Sequence, residues 1–161
     1  LSGFLGITDC LVSVNQVFMA WRQEKPILNA FLKKLQVELL TYAALAQQNG
    51  AKIFSYADPL AALSLIGPRM SKELCTDYVM PLLYDLTNLA GGGIIHLCGK
   101  TSYALEAAGL IELEIMELPD EMLYSQALAD LAAQADKKLI IGHKCINKKQ
   151  IVKKMVKINL V

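Results

Sequence analysis

The sequence predicts an α/β fold in which parallel strands alternate with helices. Three observations predict it. Short apolar runs of strand length alternate about four times with longer segments of helical period. The apolar excess of the chain fits parallel strands buried on both faces, or a surface covered by more protein. Hydrophobic residues make up 54% of the chain, and the mean hydropathy is +0.36, yet no stretch approaches the ~18–20 unbroken apolar residues of a membrane span. At 161 residues the chain is one domain, or part of one.

Taken in order, Phe4–Ile7 reads as a short buried strand that enters a loop at Thr8-Asp9-Cys10. Leu11–Trp21 is apolar and at least partly helical. Lys25-Pro26 opens a long helix, since proline in the first turn gives up an N–H that has no partner there anyway. Apolar residues then fall at helical spacing through Leu28, Phe31, Leu32, Leu35, Leu39, Tyr42, Ala43 and Ala46, until Asn49-Gly50 ends the helix. Ala51–Ala57 is a strand closed by Asp58-Pro59. Gly67-Pro68 breaks a short helix or loop at 61–65, and Ser71–Leu89 is a helix that Pro81 is placed to kink. A glycine run at 91–93 leads into the next strand. Thr101–Ala108 is a helix closed by Gly109. Ile111–Met116 alternates apolar with acidic residues, a strand with one polar face, and Glu117 stands at its end. Met122–Ala135 is a helix, Lys138–Gly142 a strand, and Met155–Val161 a last strand.

A closed barrel of this alternation has eight strands in ~250 residues. This chain supplies roughly half. The expectation is a single partial (β/α)8 barrel domain over 1–161, its C-terminal half, with the N-terminal strands outside it. Leu1-Ser2-Gly3-Phe4 reads as an entry in mid-fold.

Charge excludes some functions. Lys and Arg number 16 against 15 Asp and Glu, a net of +1, so no global field favours nucleic acid or an anionic membrane. The one basic cluster, Lys144, Lys148, Lys149, Lys153, Lys154 and Lys157, reads as a solvated tail. Cysteines at 10, 75, 98 and 145, with no secretory signal, do not form a disulfide framework and suit a reducing cytoplasm. Cys10 and Cys75 read as small buried hydrophobes.

Chemistry concentrates in Gly93-Ile94-Ile95-His96-Leu97-Cys98-Gly99. On a strand, residues two apart share a face, so His96 and Cys98 project together. The only other histidine repeats the pattern in Leu139-Ile140-Ile141-Gly142-His143-Lys144-Cys145. An imidazole and thiols at strand ends are soft-metal ligands, and zinc takes three from protein when one position stays open. His96, Cys98 and Cys145 are the candidate zinc ligands. His143 is the alternative third ligand, or a partner for Asp58 or Glu117 behind the ligands. Zinc lowers the pKa of a bound thiol, which suits alkyl transfer to sulfur better than hydrolysis. Asp58 ends a buried strand, where α/β folds place their sites, so it is a candidate catalytic residue with Glu117; its plainer role is to cap the turn that follows.

GAKIFSYADP, IIHLCG and IIGHKCIN together resemble the C-terminal half of the uroporphyrinogen decarboxylase-like superfamily. The His-x-Cys form is closest to its corrinoid-dependent branch, the methylcobamide:coenzyme M type of methyltransferase. Ser2-Gly3-Phe4 is similar to that superfamily's Gly-Pro-Phe segment, without the proline. The resemblance implies a (β/α)8 barrel holding zinc on His96, Cys98 and a later cysteine. It implies transfer of a methyl group from a methylated corrinoid, carried by a partner protein, to a zinc-bound small thiol.

Two other readings stand beside this. A metal-free decarboxylase on the same fold acts on a polycarboxylate, and with only Arg22 and Arg69 the chain is poor in the clamps such a substrate needs. A non-catalytic half-barrel, completed by a second copy or another chain, accounts for the high apolar content.

Overall fold

A five-stranded sheet in the order β1-β2-β4-β5-β3 organises the chain. The computed structural model describes residues 1–89, 91–146 and 149–161. Asn147, at the end of the second motif, and Lys148, in the basic cluster, fall outside them.

β1 (Ile53–Tyr56), β2 (Gly93–Leu97) and β4 (Lys138–Ile141) are parallel neighbours. β5 (Ile151–Leu160) runs antiparallel to β4 and to β3 (Ile111–Leu123). The fold is therefore α/β with a mixed sheet. The all-parallel expectation holds for the three strands that carry Ser55, His96 and Ile141, and not for the other two. Composition explains the division. β2 is buried along its whole length and apolar on both faces except at His96, which suits the sheet interior. β3 alternates Ile111, Leu113 and Ile115 with Glu112 and Glu114, and takes the outer edge, where charge is solvated. β2 thus pairs directly with β4, and β3 does not lie between them. β3 also runs past Met116 to Leu123, with a shift of register between Glu117 and Met122 around Pro119, a residue tolerated at edges and bulges.

Seven helices accompany the sheet among the described residues: α1 (Phe4–Leu11), α2 (Val14–Gln23), α3 (Lys25–Gln48), α4 (Leu63–Leu74), α5 (Met80–Thr87), α6 (Gly99–Ala107) and α7 (Tyr124–Gln134). No single helix there is long and apolar enough to cross a membrane. Phe4–Ile7 is the first turn of α1, and not a strand. The extended pairing comes two residues earlier, where Ser2 bridges Ala57 in parallel and the Gly3 N–H donates to the Ala57 carbonyl at 2.8 Å. Ser13 and Gln16 form a reciprocal capping box that starts α2. α3 runs from Lys25 to Gln48 as its period predicts, burying Leu28, Leu32, Leu39 and Ala43, while Phe31 and Tyr42 stay exposed. Gly67 (φ 73) breaks α4 just before Pro68. Between α4 and α5 lies one wide π turn, Cys75–Val79, whose last bond runs from the Met80 N–H to the Cys75 carbonyl. Pro81, with no N–H to give, follows that turn, so the expected kink is a widened turn.

Both faces of the parallel strands are covered. Ile95 and Leu97 of β2 pack with Phe54, Tyr56 and side chains of α3 and α5. Ile94 and Ile141 face the other way, onto Tyr124, Ala127 and Leu128 of α7. Burying each such side chain is worth about 1.5–3 kcal/mol.

Candidate functional site

Register sets the site. Ser55, His96 and Ile141 are neighbours across the three parallel strands, so the carboxyl ends of β1, β2 and β4 finish level. Asp58, Cys98 and His143 all follow on that edge.

His96 is fully buried, on the sheet face that packs against α7. Its Nδ1 lies 2.9 Å from Ser55 Oγ and its Nε2 3.0 Å from the Lys144 carbonyl oxygen. A carbonyl only accepts, so Nε2 carries the proton and Nδ1 accepts from the serine hydroxyl. Burial pulls the imidazole pKa below its ordinary value, against the opposing effect of the Lys144 carbonyl, and keeps the ring neutral. The Tyr124 ring stands edge-on to it with centroids 6.0 Å apart. Burial, and then the nearby Cys145 thiol, push the Tyr124 hydroxyl up. Lys144 Nζ sits 5.8 Å from the centre of the same ring.

The second His-x-Cys is a loop, and not a strand. β4 ends at Ile141, and His143 adopts φ 65, a left-handed conformation uncommon for a non-glycine residue. Period-two reasoning therefore does not apply to it. The His143 N–H donates to Ser102 Oγ at 3.1 Å, and Nε2 lies 3.5 Å from Glu106 Oε2 without hydrogen-bond geometry. Its carboxylate neighbour is thus on α6, and is neither Asp58 nor Glu117. A Cβ on Gly142 would stand 2.3 Å from Ile158 Cδ1 and 2.6 Å from Ser102 Oγ, so a side chain there would have to displace both. Cys145 is exposed; Cys98, the residue before α6, is half-buried.

Asp58 is buried and caps α1, and the N–H groups of Leu60 and Ala61 in the turn that follows it also act to hold its carboxyl pKa down. Its Oδ2 accepts the Leu5 N–H at 2.9 Å and its Oδ1 the Gly6 N–H at 3.1 Å, two of the donors left open at the start of α1. A Cβ on Gly3 would lie 2.1 Å from Asp58 Cβ, which ties the glycine of Ser2-Gly3-Phe4 to this carboxylate. Burial raises the Asp58 pKa, and the N–H groups of Leu5 and Gly6 partly offset it. Glu117 is elsewhere: on β3, exposed, and paired with Lys154 at 2.7 Å. Being at the far edge of the sheet, it lines no pocket with Asp58. Cys75 is buried, its thiol pushed up to about 11 by burial, whereas Cys10 is exposed on α1. The basic cluster is no tail, since Lys154 and Lys157 lie in β5 and pair with Glu117 and Glu114.

The donor chemistry fits zinc in part. Imidazole and two thiols are the right types, and Ser55 holds Nδ1 as an orienting partner holds a ligating histidine. The arrangement does not yet fit. Nε2 is taken by the Lys144 carbonyl, and among the described residues no three His, Cys, Asp or Glu side chains gather closely enough to hold an ion. Ser55, Ser102, Tyr124 and the Lys144 carbonyl are site groups that sequence reasoning missed. Ser55 had one usable signal, as the polar residue inside the apolar run Ile53–Tyr56.

Fold and site define a mixed α/β domain with a neutral, enclosed histidine at the level ends of three parallel strands. No protein-family model matches the chain, and neither a curated protein nor a solved structure matches it.

Proposed function

We propose that the carboxyl-end edge of β1, β2 and β4 is a thiol-activating zinc site for methyl transfer from a corrinoid carried by a partner protein. On this reading the parallel strands β1, β2 and β4 are an arc of a (β/α)8 barrel wall. One observation carries it: the two His-x-Cys segments, far apart in sequence, meet where His96 Nε2 reaches the Lys144 carbonyl at 3.0 Å. His96, Cys98 and Cys145 are the proposed ligands. Bound zinc would lower the pKa of a small thiol so that it is present as thiolate. For that, the 143–145 loop gives up its bond to Nε2, and Nδ1 donates to Ser55 Oγ once the ring tautomer reverses. Tyr124 and α7 exclude water from the other side of the ring. Asp58 acts here by positioning, since its two oxygens hold α1 against the end of β1.

Metal analysis after purification under reducing, chelator-free conditions tests the proposal. The expected content is about one zinc per chain, falling to background in Cys98→Ser and Cys145→Ser. Metal-free wild type, or variants that keep their zinc, would sink it.

A second reading, a non-catalytic subunit that pairs with another copy, is favoured by the complete internal satisfaction of His96 and Asp58 and by the exposed Leu113 and Ile115 on edge strand β3. Zinc-free protein that sediments as a dimer at low concentration supports it.

A further inference from the structure

A cavity of about 990 Å3 lies between α2 and α4, away from the strand ends described above. Helical spacing builds its walls. α2 contributes Phe18 and Arg22 at i and i+4, with Met19 beside them; α4 contributes Arg69 and Met70 after its break at Gly67, and Ile66 before it. Apolar surface and cations thus come from both sides.

The charges are not self-compensating. The cavity has one carboxylate, Glu73, and it is already engaged: Oε2 accepts the Trp21 indole N–H at 2.8 Å, and Oε1 pairs with Lys25. Arg22 and Arg69 are the chain's only arginines, and both line this cavity. Among the described residues neither has an ion-pair partner. The lining carries Arg22, Lys25 and Arg69 against Glu73. A guanidinium offers a planar fork of donors that matches a carboxylate, and it is weakly hydrated, so it binds anions beside apolar surface better than lysine does. The volume is that of a small-molecule site.

We propose that this cavity binds a small organic monocarboxylate with an apolar body, its carboxylate on Arg22 and Arg69 and its hydrocarbon against Phe18, Ile66 and Met70. The inference is independent of the zinc reading of the strand ends. Trp21, the only tryptophan, lines the cavity and reports on it directly.

The test is a titration of Trp21 fluorescence in the full chain with 4-phenylbutyrate, its neutral analogue 4-phenylbutanol, and inorganic phosphate. The expected result is a saturable change with the acid, binding about tenfold or more weaker for the alcohol, and no saturable change with phosphate. Affinity for the acid falls as salt rises. Arg22→Gln with Arg69→Gln brings the acid down to the alcohol's affinity and leaves the alcohol unchanged; both side chains are exposed, and circular dichroism checks the fold. Equal binding of acid and alcohol by the wild type overturns the proposal, as does phosphate binding as tightly as the acid, or an absence of any saturable change with the acid.

Discussion

β2 buries each of its five residues, whereas β3 buries only Ile111 and Leu118 along thirteen. The two strands belong to one sheet and answer to different constraints. β2 is held from both sides, by Ile95 and Leu97 in one apolar cluster and Ile94 in the other. β3 has one strand neighbour, β5, reaches the apolar clusters mainly through Ile111 and Leu118, and carries cross-strand pairs such as Glu117 with Lys154 and Glu114 with Lys157. The difference teaches where precise positioning is available. A side chain at the end of β2 inherits a fixed backbone, while one on β3 has solvent on its open side. That is why His96 keeps two well-formed hydrogen bonds and Glu117 keeps a surface ion pair.

Truncating one side chain in each region should break the comparison if it is false. Ile95→Ala removes a fully buried side chain and is expected to cost about 2–5 kcal/mol. Ile115→Ala, at 66% exposure on β3, should stay within about 0.5 kcal/mol. Urea unfolding of both variants measures it. Similar costs would mean that β3 is covered by something beyond the chain, such as a second copy.

Asp58 gives the next largest effect. Asp58→Ala strands the Leu5 and Gly6 N–H groups at the start of α1, at about 1–3 kcal/mol. The carboxylate also has a pH signature. Burial raises its pKa in the folded chain, so the folded state holds this proton more tightly than the unfolded state does. Its contribution is then most favourable at low pH and is lost as pH rises from the ordinary carboxylate value through the raised one. Asp58→Asn cannot titrate. The stability of wild type relative to Asp58→Asn should therefore decline as pH rises through that window, measured by thermal unfolding in a pH series. A gap that instead grows with pH would show that the N–H bonds outweigh burial.

These residues also show which parts of the molecule the sequence makes legible. α3 was readable because Leu28, Leu32, Leu39 and Ala43 repeat over 24 residues, long enough for a period to show. β1 and β2 are readable because glycine and proline punctuate both ends of their short runs, Gly50 and Pro59 around one and Gly92 and Gly99 around the other. Phe4–Ile7 was misread because four apolar residues carry no period, and the signal that makes them helical is Asp58, 53 residues away from Leu5. The 143–145 loop follows no strand period, and nothing local announces that His143 takes φ 65; its N–H is held by Ser102 Oγ, 41 residues away. Strand order was out of reach for the same reason. The direct pairing of β2 with β4 is a long-range choice, made by burial of both faces and not by any motif. The site was legible as far as His96 being special, since its strand fixes its neighbours. It was not legible at Ser55 and Tyr124, whose roles exist only after the strands are in register.

The smallest expected effect is the sharpest test of the contrast. Glu117 and Lys154 are each 59% exposed, so the pair sits in high dielectric, is screened by salt, and must order two flexible side chains. Glu117→Gln is expected to cost about 0–1 kcal/mol, and less at raised ionic strength. If the zinc proposal holds, metal content should be unchanged in this variant while Cys98→Ser loses it. A loss of metal on Glu117→Gln would tie the outer edge of the sheet to the strand ends. It would require β3 to approach β2 and β4 in the working protein, as consecutive strands of a barrel wall do, and the separation of regions argued above would then describe only one arrangement of the chain.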